Sequence, residues 1–133
     1  TLICGYPVTR DFRLDGKEVA LQRFSRMTET FATLRRPGSA ALSIAHVAAG
    51  WADAAAGFGV NAWDVTAAIA ILRQAGGSYH PHSLGKVAPD APPWLHPGYV
   101  ALGAGADYPV LTAVATEISA GRIAALSART VPA

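Results

Sequence analysis

The chain has 133 residues, of which 51% are hydrophobic and 15% charged, and its formal net charge is +2 at pH 7. This length corresponds to one domain, and the apolar content is sufficient for a buried core. The basic residues are scattered and form no stripe, which argues against nucleic-acid binding. No apolar run reaches the roughly 18–20 residues of a membrane span, so we expect no membrane partner. A single cysteine, Cys4, excludes an internal disulfide bond and fits a reducing compartment, so we expect a cytoplasmic protein.

The first part of the chain predicts a strand followed by two helices. Residues 2–7 are typical of a short buried strand that Pro7 ends. Ser39 is expected to cap a helix over residues 40–50. Before it, apolar residues spaced by three and four predict one helix from Asp11 to Leu34, and its inner stripe is Ala20, Phe24, Met27, Phe31 and Leu34.

The second part of the chain continues the alternation of strands and helices. We expect a helix over 61–75, a Pro-rich loop over 89–98 and a loose tail over 127–133. Asp107 is expected to cap a last helix. The inner face of this helix is predicted to be Leu111, Val114, Ala115 and Ile118. The predicted strands of this part are 51–58, 78–82 and 99–102. Alternating strands and helices predict a single α/β domain over 1–133, with a mixed sheet flanked by helices.

Asp64 is the most informative single residue, because it stands at the start of an almost wholly apolar helix. Asn61 suits the N-cap, which places Asp64 at the third helical position and favours a capping box without any function. The apolar run over 65–72 predicts a helix buried on all sides, in which an ionised carboxylate must be compensated. The helix dipole or a hard cation such as Mg²⁺ would do this. Spacing alone leaves capping and metal binding open.

Two blocks of sequence resemble a known enzyme family. The segment 63-WDVTAAIAILRQAGG-77 follows 35-RRPGSAALSIAHVAAGWAD-53 at a characteristic separation, and 1-TLICGYP-7 precedes both. Together they resemble the C-terminal half of the inositol monophosphatase family, over nearly the whole chain. The resemblance implies one layer of an α/β/α/β/α sandwich, a homodimer, and a Mg²⁺-dependent, lithium-sensitive phosphatase that acts on a small phosphomonoester of the inositol or sugar phosphate class.

The resemblance also assigns roles to particular residues. It implies that Asp64 ligates a catalytic metal ion, and that Gly38, Ser39 and Ala40 form the turn whose helix start lies beside the substrate. Exposed amides at a helix N-terminus suit anionic or hydroxyl-rich ligands. No catalytic residue of this chain is assigned beyond these.

Two departures from the family pattern limit what the resemblance implies. Many inositol-specific members have glutamate where this chain has Gly57, which leaves fructose 1,6-bisphosphate, histidinol phosphate or a phosphonucleotide as other possible substrates. The motif Asp-Pro-Ile/Leu-Asp-Gly-Thr and an earlier metal-binding glutamate are also absent. They belong to the N-terminal half of the family. We therefore expect the chain alone to be inactive and to need that missing half, from the same or a separate chain.

A second hypothesis is a non-catalytic α/β module for interaction or assembly, with Asp64 only capping its helix. The remaining motifs do not favour another enzyme class. His80 and His82 flank Pro81 without further close ligands, so we expect an edge or loop position rather than a metal site. The segment 103-GAGAD-107 lacks the Lys-Ser/Thr of a P-loop and is expected to be a turn.

Overall fold

Five strands form one mixed sheet in the computed structural model, which describes residues 1–130, with the backbone alone for 129 and 130. β1 to β3 are parallel, and β5 is antiparallel to both β3 and β4. This confirms the predicted α/β class with a mixed sheet. The strands are β1 (Leu2–Cys4), β2 (Leu34–Arg35), β3 (Ala54–Phe58), β4 (Ser78–His82) and β5 (Gly98–Leu102), in the order β2-β1-β3-β5-β4.

Helices cover both faces of the sheet. They are α1 (Thr9–Asp15), α2 (Lys17–Thr30), α3 (Ala40–Ala48), α4 (Ala62–Gln74) and α5 (Pro109–Thr130), with a 3₁₀ turn at Pro93–Leu95. Alternate strand residues point to opposite faces, so Ala54 and Ala56 pack with α2 and α5, whereas Ala55 packs with α3 and α4. The result is three layers with one apolar core on each side of the sheet.

The long helix predicted from Asp11 to Leu34 is wrong. Gly16 separates α1 from α2 with a φ of +87°, a conformation that glycine adopts at little cost. The helix ends at Thr30, and Leu34 instead pairs with Leu2 in the parallel ladder between β2 and β1. The apolar spacing was nevertheless informative within α2, because Ala20 and Met27 are fully buried.

The other elements follow the prediction with shifted ends. β4 matches 78–82, β5 begins one residue earlier than expected, and β3 forms only the end of 51–58. Thr112 N donates to Tyr108 O, so Tyr108 rather than Asp107 precedes α5. α5 also includes 127–130 of the predicted loose tail, and 131–133 lie outside the described residues.

Helix α5 is long and apolar enough to cross a membrane by length and composition. No other helix within residues 1–130 meets this criterion. The stretch Pro109–Ala128 has a mean hydropathy of 1.3 although it contains Glu117 and Arg122, so the sequence expectation that no such stretch exists is wrong on composition. One face packs on the sheet, where the predicted residues Leu111, Val114, Ala115 and Ile118 are fully buried. Core helices of folded domains meet the same compositional criterion, and α5 buries one face of this stretch while the rest of it is exposed.

Candidate functional site

A pocket of about 250 Å³ opens where the parallel strands β1 and β3 end. Cys4 and Gly5 contribute from the end of β1, and Phe58 from the end of β3. The start of α3 and residues of α1 form the opposite wall. Ligands of α/β proteins bind outside the carboxyl ends of the strands, so the pocket lies where the topology favours a binding site.

The three residues predicted to contact substrate all line this pocket. Gly38, Ser39 and Ala40 lead into α3, and the Oγ of Ser39 accepts a hydrogen bond from Leu42 N at 3.3 Å. This confirms Ser39 as the N-cap. Ser43 Oγ donates to Ser39 O at 2.6 Å and fixes the turn from the other side. The earliest amides of a helix have no carbonyl partner within it. Ser39 Oγ occupies that of Leu42, so the amides of Ala40 and Ala41 are the ones left to bind an anion.

Asp64 lies beside the pocket, at the third position of α4. Val60 lines the pocket, and α4 begins at Ala62. Asn61 N donates to Asp64 Oδ2 at 3.2 Å, so the Asp64 carboxylate caps the start of the helix. Asp64 N donates to the backbone oxygen of Asn61 at 3.0 Å, and the Asn61 side chain makes no cap hydrogen bond. Oδ1 of Asp64 has no hydrogen-bond partner among the residues described. Capping therefore occupies one carboxylate oxygen and leaves the other available.

Helix α4 is not buried on all sides, contrary to the sequence expectation. Trp63 is 81% exposed and Ile71 53% exposed. Both lie on the side facing away from the sheet. The helix buries only one face, made of Val65, Ala68, Ile69 and Leu72. Asp64 is thus only partly buried, and the desolvation argument for a compensating cation does not hold within the described part of the chain.

The described residues do not assemble a complete metal site. Between residues 1 and 130, no group of three or more His, Cys, Asp or Glu side chains is close enough to hold an ion. Mg²⁺ is octahedral and is held by one or two carboxylates together with waters and substrate phosphates. Asp64 fits the part of one such ligand, and further ligands would have to come from elsewhere.

Tyr99 fills the place where a side chain at position 57 would extend. A Cβ on Gly57 would lie 2.7 Å from Cε1 of Tyr99. The Tyr99 ring is 2% exposed and stacks on Tyr79 with the centroids 5.4 Å apart. Burial raises the pKa of Tyr99, so its hydroxyl stays protonated. A neutral phenol therefore lines the pocket, and residue 57 contributes no carboxylate.

Sequence reasoning missed a buried network of charged residues next to the pocket. Arg122 Nη2 lies 2.6 Å from Asp11 Oδ1, and Arg122 Nε lies 3.1 Å from Asp15 Oδ1. Asp15 Oδ2 also accepts from the Tyr6 hydroxyl at 2.8 Å. The i, i+4 spacing of the two aspartates was a local signal, but nothing in the sequence connects them to an arginine more than a hundred residues later.

The sequence profile of the inositol monophosphatase family matches residues 4–121. The chain belongs to the inositol monophosphatase family. It is 38% identical over 73 residues to "Nus factor SuhB" of Pseudomonas aeruginosa, which is 55% of this chain and 27% of that protein. It is 50% identical over 44 residues to "Inositol-1-monophosphatase" of Mesorhizobium japonicum, which is 33% of this chain and 16% of that protein.

Solved structures of this family have the same fold over nearly the whole chain. The inositol monophosphatase from Anabaena (Nostoc) sp. PCC 7120 superposes with a TM-score of 0.57 and 25% identity. The superposition covers 90% of this chain and 41% of that one. The chain thus spans less than half of the proteins that it resembles.

Proposed function

We propose that this chain is the C-terminal part of a Mg²⁺-dependent phosphatase that hydrolyses a small phosphomonoester. The observation that carries the proposal is the family match over residues 4–121, together with the pocket at the ends of β1 and β3. The relatives include proteins named inositol-1-monophosphatase and fructose-1,6-bisphosphatase/inositol-1-monophosphatase. These names favour an inositol or sugar phosphate.

In this proposal, the chain positions the substrate and supplies one metal ligand. The turn of Gly38, Ser39 and Ala40 binds the substrate through backbone amides at the start of α3. The free Oδ1 of Asp64 would hold one Mg²⁺, while Oδ2 keeps its bond to Asn61 N and fixes the carboxylate. The chemistry that the bound ion supplies is polarisation of the phosphoryl group and a lowered pKa of water. The other ligands come from the missing N-terminal half.

The test of metal ligation by Asp64 uses the complete enzyme, in which the chain is joined to the N-terminal half. Asp64→Asn should raise the Mg²⁺ concentration needed for half-maximal phosphate release and lower kcat/KM by about 100-fold or more. The control is Asp90→Asn, which neutralises an exposed loop carboxylate and should change neither quantity. An Asp64→Asn enzyme with the Mg²⁺ dependence and kcat/KM of the wild type would show that Asp64 serves only as a cap.

A further inference from the structure

We propose that Arg10 is a positioning residue for Asp64, acting through the backbone that joins β3 to α4. The inference rests on the proposed function, since it concerns the residue that is to ligate the metal ion. Residues 59–61 form this link between the two elements. Three sets of contacts carry the inference: from Arg10 to the end of β3, from the link to the residue before β5, and from the link to the Asp64 carboxylate.

Arg10 extends from α1 to the last residue of β3. Its Nη2 donates to Phe58 O at 2.7 Å, although the two residues are 48 positions apart in the sequence. A Cβ on Gly59 would collide with Nη1 and lie 2.9 Å from Nη2, so the guanidinium also packs against the first residue of the link. A hydrogen bond from a charged donor is stronger than one between neutral groups. One side chain therefore ties α1 to the start of the link.

The peptide group between Phe58 and Gly59 is held at both ends. Its carbonyl accepts from Arg10, and its N–H, which is that of Gly59, donates to Pro97 O at 2.8 Å. Val60 N donates to the same oxygen at 2.9 Å. Because a peptide group is planar, two partners on its carbonyl and its N–H fix its orientation. Loss of the Arg10 bond removes one of these two partners and lets the peptide group rotate.

The other end of the link contacts the Asp64 carboxylate directly. Asn61 N donates to Asp64 Oδ2 at 3.2 Å, which leaves Oδ1 as the atom proposed to bind Mg²⁺. A link this short has few backbone torsions, so a rotation at Gly59 displaces Asn61 N and with it the carboxylate. Groups that orient a metal ligand determine much of the affinity for the metal. Arg10 acts one step further away, through the backbone, so we expect a smaller effect than for a direct partner.

Arg10 contributes more to the position of the link than to the stability of the fold. Its side chain is 46% exposed, so a shorter side chain there leaves no buried cavity. The nearest carboxylate oxygen, Asp11 Oδ1, lies 3.4 Å from Nη2 but only 2.6 Å from Arg122. A long contact of this kind at an exposed side chain contributes little to stability. The effect of Arg10 on metal binding can therefore be separated from an effect on folding.

The first test measures Mg²⁺ binding to the complete enzyme by isothermal titration calorimetry. Arg10→Met keeps a long side chain without donors, and it should raise the Kd for Mg²⁺ by about 3- to 10-fold. Arg10→Lys retains a charged donor and should restore most of the affinity. Arg13→Met removes an exposed arginine of α1 and should leave the Kd unchanged. An equal Kd in wild type and Arg10→Met would overturn the inference.

Two further measurements exclude other roles for Arg10. At saturating Mg²⁺, the KM for inositol 1-phosphate should change by less than about 2-fold in Arg10→Met, because a positioning residue does not touch the substrate. The Tm of this variant should fall by no more than about 4 °C. A raised KM with an unchanged Kd for Mg²⁺ would make Arg10 a substrate contact. A larger fall in Tm would make the loss of metal binding a consequence of unfolding. Either result overturns the inference.

Amide hydrogen exchange in EDTA tests the structural step without a metal ion. Exchange at Gly59, Val60 and Asn61 should be about 3- to 10-fold faster in Arg10→Met and unchanged in Arg13→Met. Exchange rates that are the same in all three proteins would overturn the inference.

The variant Asp64→Asn separates this inference from the proposed function. If Asp64→Asn binds Mg²⁺ as tightly as the wild type, the proposed role of Asp64 as a metal ligand fails, and the positioning of that ligand fails with it. If Asp64→Asn weakens Mg²⁺ binding and Arg10→Met does not, the proposed function stands and only the role of Arg10 is overturned. Weaker binding in both variants, with the native Kd in Arg13→Met, supports both.

Discussion

The two buried aspartates of α1 depend on one distant arginine. Asp11 is 1% exposed and Arg122 6% exposed, and the Asp15 side chain is 3% exposed. Carboxylates in such surroundings are stable only when their oxygens are paired. This network connects α5 to the α1 residues that lead into the pocket, so the position of Arg10 depends on it.

Removal of Arg122 should therefore destabilise the fold strongly. Arg122→Met leaves two buried carboxylates without their main partner, and we expect a loss of about 3–5 kcal/mol in the free energy of unfolding. Arg26→Gln breaks only the exposed pair with Glu117, and its cost should stay below about 1 kcal/mol. Urea unfolding of both variants measures the difference. Similar small losses in the two would contradict the role given to Arg122.

The contact between Gly57 and Tyr99 makes position 57 intolerant of side chains. Gly57→Ala places a methyl group 2.7 Å from Cε1 of a ring that is buried and stacked, so we expect a loss of about 1–3 kcal/mol. Gly5→Ala is a matched control, because a Cβ there meets nothing within 4 Å. Thermal unfolding should show a clearly lower Tm for Gly57→Ala than for Gly5→Ala. Equal Tm values would mean that Tyr99 can move away.

His82 should make the fold less stable in weak acid. Burial, with smaller contributions from His80 and His96, lowers the pKa of His82, and its Nε2 is buried without a partner among the described residues. Above the unfolded pKa of about 6.5, both folded and unfolded chains hold His82 neutral. As the pH falls below it, the unfolded chain takes up the proton first, and stability decreases by about 1.36 kcal/mol per unit of pKa lowering.

The measurement is the free energy of unfolding at about pH 7.5 and about pH 5.5. His82→Gln should lose less stability across this range than the wild type, since the glutamine does not titrate. His80→Gln, an exposed neighbour on β4, should keep most of the wild-type loss. A His82→Gln chain with the full wild-type pH dependence would assign the effect to other groups.

At the scale of elements, the sequence predicted the features that depend on interactions within a single helix. Ser39 caps α3 as expected, and the predicted inner face of α5 is fully buried, because capping and apolar spacing act within one helix. β2 was missed, because two residues at a sheet edge leave no periodic signal. The same distinction between local and long-range interactions applies to the residues of the pocket. Its helix start was predicted from the sequence, whereas Arg10 and Tyr99 enter the pocket through contacts between distant segments.

The Ser39 cap can be tested by a single substitution. Ser39→Ala removes the acceptor of Leu42 N, and we expect a loss of about 1 kcal/mol in the free energy of unfolding. Ser39→Thr keeps a hydroxyl at the N-cap and should restore most of it. Amide hydrogen exchange in the first turn of α3 should be faster in the alanine variant alone. Unchanged exchange and stability would show that the 3.3 Å bond contributes nothing.

At the scale of the whole molecule, the chain is one folded α/β layer that spans less than half the length of its solved relatives. It spans 27% of its Pseudomonas aeruginosa relative, and its one candidate metal ligand stands without others among the described residues. Trp63 and Ile71 on α4 expose apolar surface of the kind that other protein segments cover. We infer that the missing half supplies metal ligands and that a Mg²⁺ ion held by Asp64 alone would be mostly hydrated.

The most direct test of this account is phosphate release in Mg²⁺ by the purified 133-residue chain, with and without the N-terminal half. The account predicts no turnover above background by the chain alone. It predicts Mg²⁺-dependent turnover when the halves are joined, and loss of that turnover in Asp64→Asn. Robust phosphate release by the chain alone that disappears in Asp64→Asn would contradict it, because the active site would then be complete within these residues.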